Sequence, residues 1–284
     1  MIQLGLRLHD AEKLPMEELL PTIRAKGYSC AHLALSKAMK EYPCHPAALT
    51  PGYAHYLKRL FEKNEMDIAL LGCYRNLTES DHSLLRQNQE QYISHFRFAS
   101  LLGCGMVGTE TPMANFKNRP DPRSDEAFSI LVKNLKPVVK AAQQFGIILA
   151  LEPVARHVIW CPKRARQLLD EIASPNLQIL FDPVNLLDLE NVRRRDEVFA
   201  EAIELLGADI AMVHLKDFQF ASPGGGLDGS GLEAVGAGTG QMDFTFIMKY
   251  LKKEKPFIYA TLENTTPENA AQCRKNMQAL YESV

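Results

Sequence analysis

Eight apolar runs of strand length recur along the chain. They are IQLGLRL (2–8), CAHLALS (30–36), MDIALLGC (66–73), GMVGTE (105–110), IILALEP (147–153), LQILFDP (177–183), IAMVHLK (210–216) and FIYATLE (257–263). Most are nearly continuous in hydrophobicity rather than alternating, as in parallel strands covered on both faces. The intervening segments carry helical periodicity. Ile130, Leu131, Leu135, Val138, Val139 and Ala142 form one such stripe over about residues 125–145, where Pro137 is expected to kink or divide the helix. Gly27, Gly103, Gly146 and Gly207 close RAKG, SLLG, QQFG and ELLG and suit the left-handed position after a helix. Thr-Pro pairs at 50–51 and 266–267 offer an N-cap followed by proline at N1. The strand–helix unit repeats eight times, about every 30 to 48 residues. A single (β/α)8 TIM barrel spanning 1–284, with no linker dividing it, is the economical reading. A doubly wound sheet is the alternative, but no GxGxxG follows the first strand.

One segment breaks the rhythm. Residues 220–244, FASPGGGLDGSGLEAVGAGTGQMDF, are rich in glycine and lie between the seventh strand and the next helix. They contain no GKS or GKT and so no phosphate-cradling P-loop. A long loop in a compact domain is either functional or a flexible excursion, and a loop covering a substrate is the first expectation.

Composition narrows the partners. The chain is 46% hydrophobic and 23% charged, with a formal net charge of −2; that is ordinary globular composition without a basic field for nucleic acid. Arg193, Arg194 and Arg195 read as a solvated helix face. The six cysteines, Cys30, Cys44, Cys73, Cys104, Cys161 and Cys273, form no CxxC pair and read as reduced thiols of a cytoplasmic protein. No signal peptide or membrane span is expected.

Candidate chemistry concentrates where the apolar runs end, since a barrel of this kind builds its site at the C-terminal ends of its strands. ILFDPVN ends an apolar run on Asp182, with Asn185 three residues on. LALEP delivers Glu152, MVHLKD delivers His214, Lys216 and Asp217, and ATLEN delivers Glu263 and Asn264. One carboxylate after an apolar run is a turn; ligand-type residues at the same place in four consecutive units call for another account. Three converging carboxylates repel one another unless a cation joins them. Three oxygen donors and one imidazole suit Mn²⁺, Mg²⁺, Co²⁺ or Zn²⁺. The bland alternative is a carboxylate network bonded to Lys216, Arg156 and backbone.

The order Glu, Asp, His, Glu on strands five to eight resembles the xylose-isomerase-like TIM-barrel superfamily, in particular its sugar phosphate isomerase/epimerase branch of tagatose and psicose 3-epimerase type. LEP, FDPVN, VHLKD, GTET and GAGTGQMDF all resemble its motifs, over essentially the whole chain. The resemblance implies that Glu152, Asp182, His214 and Glu263 hold one divalent ion, Mn²⁺ foremost, and that Glu152 and Glu263 are also the acid/base pair. It implies an isomerase or epimerase of a small keto-sugar or sugar phosphate working through a metal-stabilised enediolate. A dehydratase or lyase of a keto-inositol or keto-sugar is the alternative. The chain departs from the branch in three places: Asn185 stands where a histidine is usual, Val158 where a glutamate is, and Phe220 where an arginine is.

Further candidates for substrate contact are Asn185, His157, Glu110, Lys216 and Arg75. The first four have plainer readings: a turn for Asn185, an exposed loop for His157, a salt bridge for Glu110, a carboxylate partner for Lys216. His9 reads as structural, and Trp160 as a pocket wall or as helix packing. The superfamily's endonuclease IV type DNA-repair enzymes need extra histidines that GCYRN, GTET and the glycine-rich segment lack. A small-molecule carbohydrate substrate is therefore expected, with no nucleic acid or membrane partner; a homo-oligomer is possible, and a non-catalytic sugar-binding protein is the remaining class.

Overall fold

The structure, a computed structural model, describes residues 2–111, 120–222, 225–226 and 230–284. Its barrel strands are β1 (Gln3–Arg7), β2 (Cys30–Leu33), β3 (Asp67–Gly72), β4 (Met106–Glu110), β5 (Ile148–Glu152), β6 (Leu177–Phe181), β7 (Ile210–Phe220) and, after an antiparallel strand β8 (Leu232–Gly236), β9 (Tyr259–Leu262). Each of β1 to β6 pairs in parallel with the next, β7 pairs with β9, and β9 pairs with β1, with Gln3 opposite Tyr259 and Leu6 opposite Leu262. The sheet is closed, and the eight expected strands are its eight staves. Around it run α1 (Met16–Ala25), a short α2 (Leu35–Ala38), α3 (Pro51–Lys63), α4 (His82–Leu102), α5 (Asp125–Phe145), α6 (Pro162–Ile172), α7 (Arg195–Leu206), α8 (Thr245–Glu254) and α9 (Ala270–Ser283). The result is a single (β/α)8 TIM barrel.

Local chemistry explains most boundaries. Thr50 accepts the Tyr53 amide at the start of α3, Asp81 those of Ser83 and Leu84 before α4, and Ser124 that of Ala127 before α5, each satisfying amides that the first turn leaves open. Gly27, Gly103 and Gly146 adopt positive φ of 91°, 82° and 66° at helix ends. Gly207 does not. Its φ is −51° and the chain runs on into a 3-10 turn. A Cβ there would lie 2.7 Å from the Tyr250 hydroxyl, so glycine serves close packing. Pro137 sits inside α5 without dividing it. Thr266 and Asn269 cap each other reciprocally, and α9 begins only at Ala270.

The glycine-rich segment holds more order than expected. β7 runs on past Lys216 to Phe220, and β8 folds back against it with Lys216 opposite Gly236 and Phe220 opposite Leu232. The hairpin rises beside the barrel mouth. Residues 223–224 and 227–229 of the segment lie outside the described residues.

Inside the barrel, Cys30, Ala69, Leu70, Met106, Ala150, Leu180 and Met212 form a buried apolar layer. Side chains two apart on a strand share a face. The residues two positions on from Cys30, Ala150, Leu180 and Met212 are His32, Glu152, Asp182 and His214. The apolar layer is thus the floor on which a polar layer stands. A larger cluster packs the outer face of the sheet against the helices. All six cysteines are free thiols.

Candidate active site

Glu152 ends β5, Asp182 follows β6, His214 lies within β7 and Glu263 follows β9. All four are buried, Asp182 completely. His214 stands between the glutamates: its Nδ1 is 3.3 Å from Glu152 Oε2 and 3.1 Å from Glu263 Oε1. Candidate ligand atoms of Glu152, Asp182 and His214 lie within 4.8 Å of one another, as do those of His32, His214 and Glu263.

Each remaining carboxylate oxygen is held. Asp182 Oδ1 accepts the backbone amides of Val184 and Asn185 at 2.9 and 3.1 Å. Its Oδ2 pairs with Lys216 Nζ at 2.8 Å. Glu263 Oε2 pairs with Arg7 Nη1 at 2.9 Å and lies 3.5 Å from Lys216 Nζ. The Asn185 side-chain amide donates to Glu152 Oε1. Asp182 therefore ends its strand in a turn that the backbone amides close, and in a charge pair that makes its burial tolerable.

The electrostatics follow from this crowding. Burial pushes Asp182 up to about 6, against the opposing pull of Lys216. Burial is the largest influence on Glu152 and Glu263 and works to raise both, but their neighbours together outweigh it: His214 and then Lys216 for Glu152, and His214, Arg7, Lys216 and His32 for Glu263; Glu152 is lowered and Glu263 lies well below the ordinary range. For His214, burial favours the neutral ring, and Glu263 and Glu152 overcome it to raise the value. The cluster demands positive charge. His214 Nε2 has no hydrogen-bond partner among the described residues, and Nδ1 approaches two carboxylates without hydrogen-bond geometry. That combination of orphaned imidazole and convergent oxygens fits a divalent cation.

A cavity of about 270 Å³ opens over the cluster. Glu152 and Glu263 line it together with Glu110, Asn185, Lys216, Arg156, Tyr74, Arg7, His9, Lys37 and Asn264. Glu110 lies beside Glu152 in the β4–β5 register, and burial followed by the Glu152 charge raises its pKa. Asn185 and Lys216 line the cavity, but their side chains are engaged with the cluster's own carboxylates. His157 is buried after β5 and bears electrostatically on Glu110; it is not among the described lining residues. Arg75 is exposed, and its backbone N–H and C=O bond the Tyr92 hydroxyl. The side chain that this loop brings to the cavity is its neighbour, Tyr74. Trp160 lies under Arg123, 5.0 Å from the guanidinium, and lines a different, neighbouring cavity of about 330 Å³. Asp217 turns away from the mouth and accepts the backbone amides of Phe218, Gly238, Gly240 and Met242.

Sequence reasoning missed Arg7, His32 and Tyr74. Arg7 also bonds Asp10 in bidentate fashion at 2.7 and 3.1 Å. His32 is wholly buried, and burial, then His214, holds its pKa well below the ordinary value. Burial and the Glu263 charge hold the Tyr74 phenol well above its usual range, keeping it a neutral donor. His9 lines the mouth edge-on to His32, lowered to about 3 by burial and by Arg7 and Lys37.

The model of a family described as xylose isomerase-like TIM barrel matches residues 21–283. Among solved structures, a D-tagatose 3-epimerase-like protein is 17% identical, with 99% of this chain and 98% of that chain covered and a TM-score of 0.74. A 3-keto-D-glucoside 4-epimerase from E. coli is 15% identical over 100% of both chains, with a TM-score of 0.73. A probable 3-DHS dehydratase from Bacillus anthracis is 15% identical over 98% of each chain, with a TM-score of 0.72. At these identities the likeness is one of fold. No curated protein matches the chain in sequence.

Proposed function

The chain belongs to the xylose isomerase-like TIM-barrel family, and we propose that its barrel mouth is the active site of a divalent-metal-dependent isomerase or epimerase of a small carbohydrate. The observation that carries this reading is the pair of buried glutamates, Glu152 and Glu263, one on each side of His214 and both lining the cavity. Glu152, Asp182, His214 and Glu263 would hold the ion. When bound, it supplies Lewis acidity to a carbonyl and an adjacent hydroxyl oxygen, acidifying the carbon-bound hydrogen between them.

The chain's own groups do the rest. Epimerisation needs one group to remove a proton and another to return one from the opposite face. Glu152 and Glu263 come from β5 and from the end of β9, with β6 and β7 between them round the barrel. Asn185 fixes one oxygen of Glu152; Arg7 and Lys216 fix one oxygen of Glu263. Anchored in this way, each glutamate keeps a defined direction toward the cavity. Tyr74, Asn264 and Glu110 stand round the mouth as partners for sugar hydroxyls. A small diffusible substrate and free thiols fit a cytoplasmic enzyme, and no described helix is long and apolar enough to cross a membrane.

The test is a panel of ketoses, keto-inositols and their phosphates turned over with Mn²⁺ in D₂O. Product is expected to carry solvent deuterium at the carbon next to the carbonyl. Glu152→Gln and Glu263→Gln are each expected to lose on the order of 10² to 10⁴-fold in kcat. Product free of deuterium would point to hydride transfer and remove both glutamates from their roles. A product that has lost one molecule of water relative to the substrate would assign the same proton abstraction to a dehydratase.

A further inference from the structure

His32 is a wholly buried polar residue that the chemistry above does not use. It stands in the polar layer, two residues on from Cys30 of the apolar floor, as Glu152, Asp182 and His214 stand two residues on from Ala150, Leu180 and Met212. The β2–β3 register slips between Ala31 and His32, the kind of irregularity that re-aims a side chain. The ring stacks on His214, with centroids 5.2 Å apart and planes 11° from parallel. Its Nδ1 has no hydrogen-bond partner among the described residues and lies 3.9 Å from Glu263 Oε1. A core position could hold an apolar residue without leaving a buried nitrogen unpaired at a cost to stability.

We propose that His32 is a further ligand of the ion, through Nδ1, on the β2 side of the site. The inference rests on the reading above that an ion binds here. Two atoms bonded to one ion at about 2.0–2.2 Å can stand up to about 4.3 Å apart, and the separation of Nδ1 and Glu263 Oε1 falls within that reach. The ligand atoms of His32, His214 and Glu263 form a triad within 4.8 Å. The other nitrogen is provided for. A ligating imidazole gives its remaining N–H to an oxygen, which fixes tautomer and ring orientation, and His32 Nε2 lies 3.1 Å from the Tyr74 hydroxyl. Gly72 makes room for this pair: a Cβ there would fall 2.9 Å from both His32 Nε2 and Tyr74 Cε2. A second imidazole also biases the donor set toward Co²⁺ and Zn²⁺ and away from Mg²⁺.

Co²⁺ is the probe. In the Co²⁺-loaded protein, proton NMR in water is expected to show two strongly shifted exchangeable imidazole N–H signals. His32→Phe removes one of them, and Tyr74→Phe displaces the same one. Competition titration of His32→Phe is expected to show Co²⁺ affinity down by at least about tenfold, the floor for losing even an outer-shell partner, with Mg²⁺ affinity changed far less. If His32→Phe does not fold, His32→Gln asks the same question, since it too lacks an imidazole N–H. Tight Co²⁺ binding with a single shifted imidazole signal, and affinity unchanged in the His32 variant, would overturn the proposal while leaving the metal site standing. Absence of any binding that His214→Ala can abolish would overturn both.

Discussion

At the scale of single residues, the barrel mouth sets buried charges against one another: Glu263 has Arg7, His214 and Lys216 at 2.9, 3.1 and 3.5 Å. Glu152, Asp182, His214 and Glu263 each close or interrupt an apolar run, and charge at such a place must be compensated. Arg7, His32 and Tyr74 were not legible in the sequence because their meaning lies in a partner far along the chain: Arg7 pairs with Glu263 at the opposite end of the sequence. Arg75 stands out from Tyr74 in the sequence by its charge, yet beyond β3 the tyrosine takes the inner direction and the arginine the outer. Lys216 tests this economy of charge. Its ammonium lies between Asp182 and Glu263, and it is itself 4% exposed. Removing one partner of a buried pair leaves an uncompensated charge and costs about 3–5 kcal/mol. Lys216→Met should therefore melt well below the unmodified protein in chelator, and Mn²⁺ should restore more stability to the variant than to its parent. Equal melting temperatures in chelator would refute the charge-balancing role.

At the scale of elements, periodicity identified every barrel strand, but the hairpin beyond the barrel was hidden. Lys216 ended the apolar run, while the strand itself continues through Asp217-Phe218-Gln219-Phe220, and glycine-rich composition masked β8. What organises the return is Asp217. Its carboxylate accepts the amides of Phe218 at 2.8 Å, Gly238 at 3.2 Å, Gly240 at 2.8 Å and Met242 at 2.7 Å. A Cβ on Gly240 would lie 2.3 Å from the Phe218 carbonyl and 2.5 Å from Asp217 Oδ1, so only glycine can bring this turn so close. Asp217→Asn turns an amide NH₂ toward backbone N–H groups and loses charge-assisted bonds worth about 1.5–3 kcal/mol each at most. Hydrogen exchange at the amides of Gly238, Gly240 and Met242 should accelerate markedly, with Mn²⁺ affinity unchanged. Undiminished protection there would show that β7–β8 pairing alone orders the turn.

At the scale of the whole molecule, the closed barrel was legible because every unit repeats one pattern, while the buried histidines His32 and His95 were not, since composition does not reveal burial. His95 carries a stability consequence that reaches beyond the site. It lies on α4, 4% exposed, with Nδ1 2.8 Å from the Gln91 carbonyl oxygen. Burial lowers its pKa from 6.5 to about 4, against the raising effect of that backbone bond. Above pH 6.5 the ring is neutral in both folded and unfolded chains and contributes no slope. As pH falls from 6.5 toward 4, the unfolded chain takes up a proton that the native ring refuses, so stability falls with it; below about 4 the native ring protonates too and the slope vanishes. A tenfold difference in proton affinity between the two states is worth about 1.4 kcal/mol, so the loss reaches about 2 kcal/mol by pH 5. His95→Gln removes this titration while keeping an amide to meet the Gln91 carbonyl. Urea unfolding from pH 7 to pH 5 should show the parent losing about 2 kcal/mol more than the variant. His9 and His32, also depressed by burial, remain in both proteins and cancel from the comparison. Parallel curves would mean that His95 becomes charged within the fold, with the α4 packing around it opening to water before the barrel gives way.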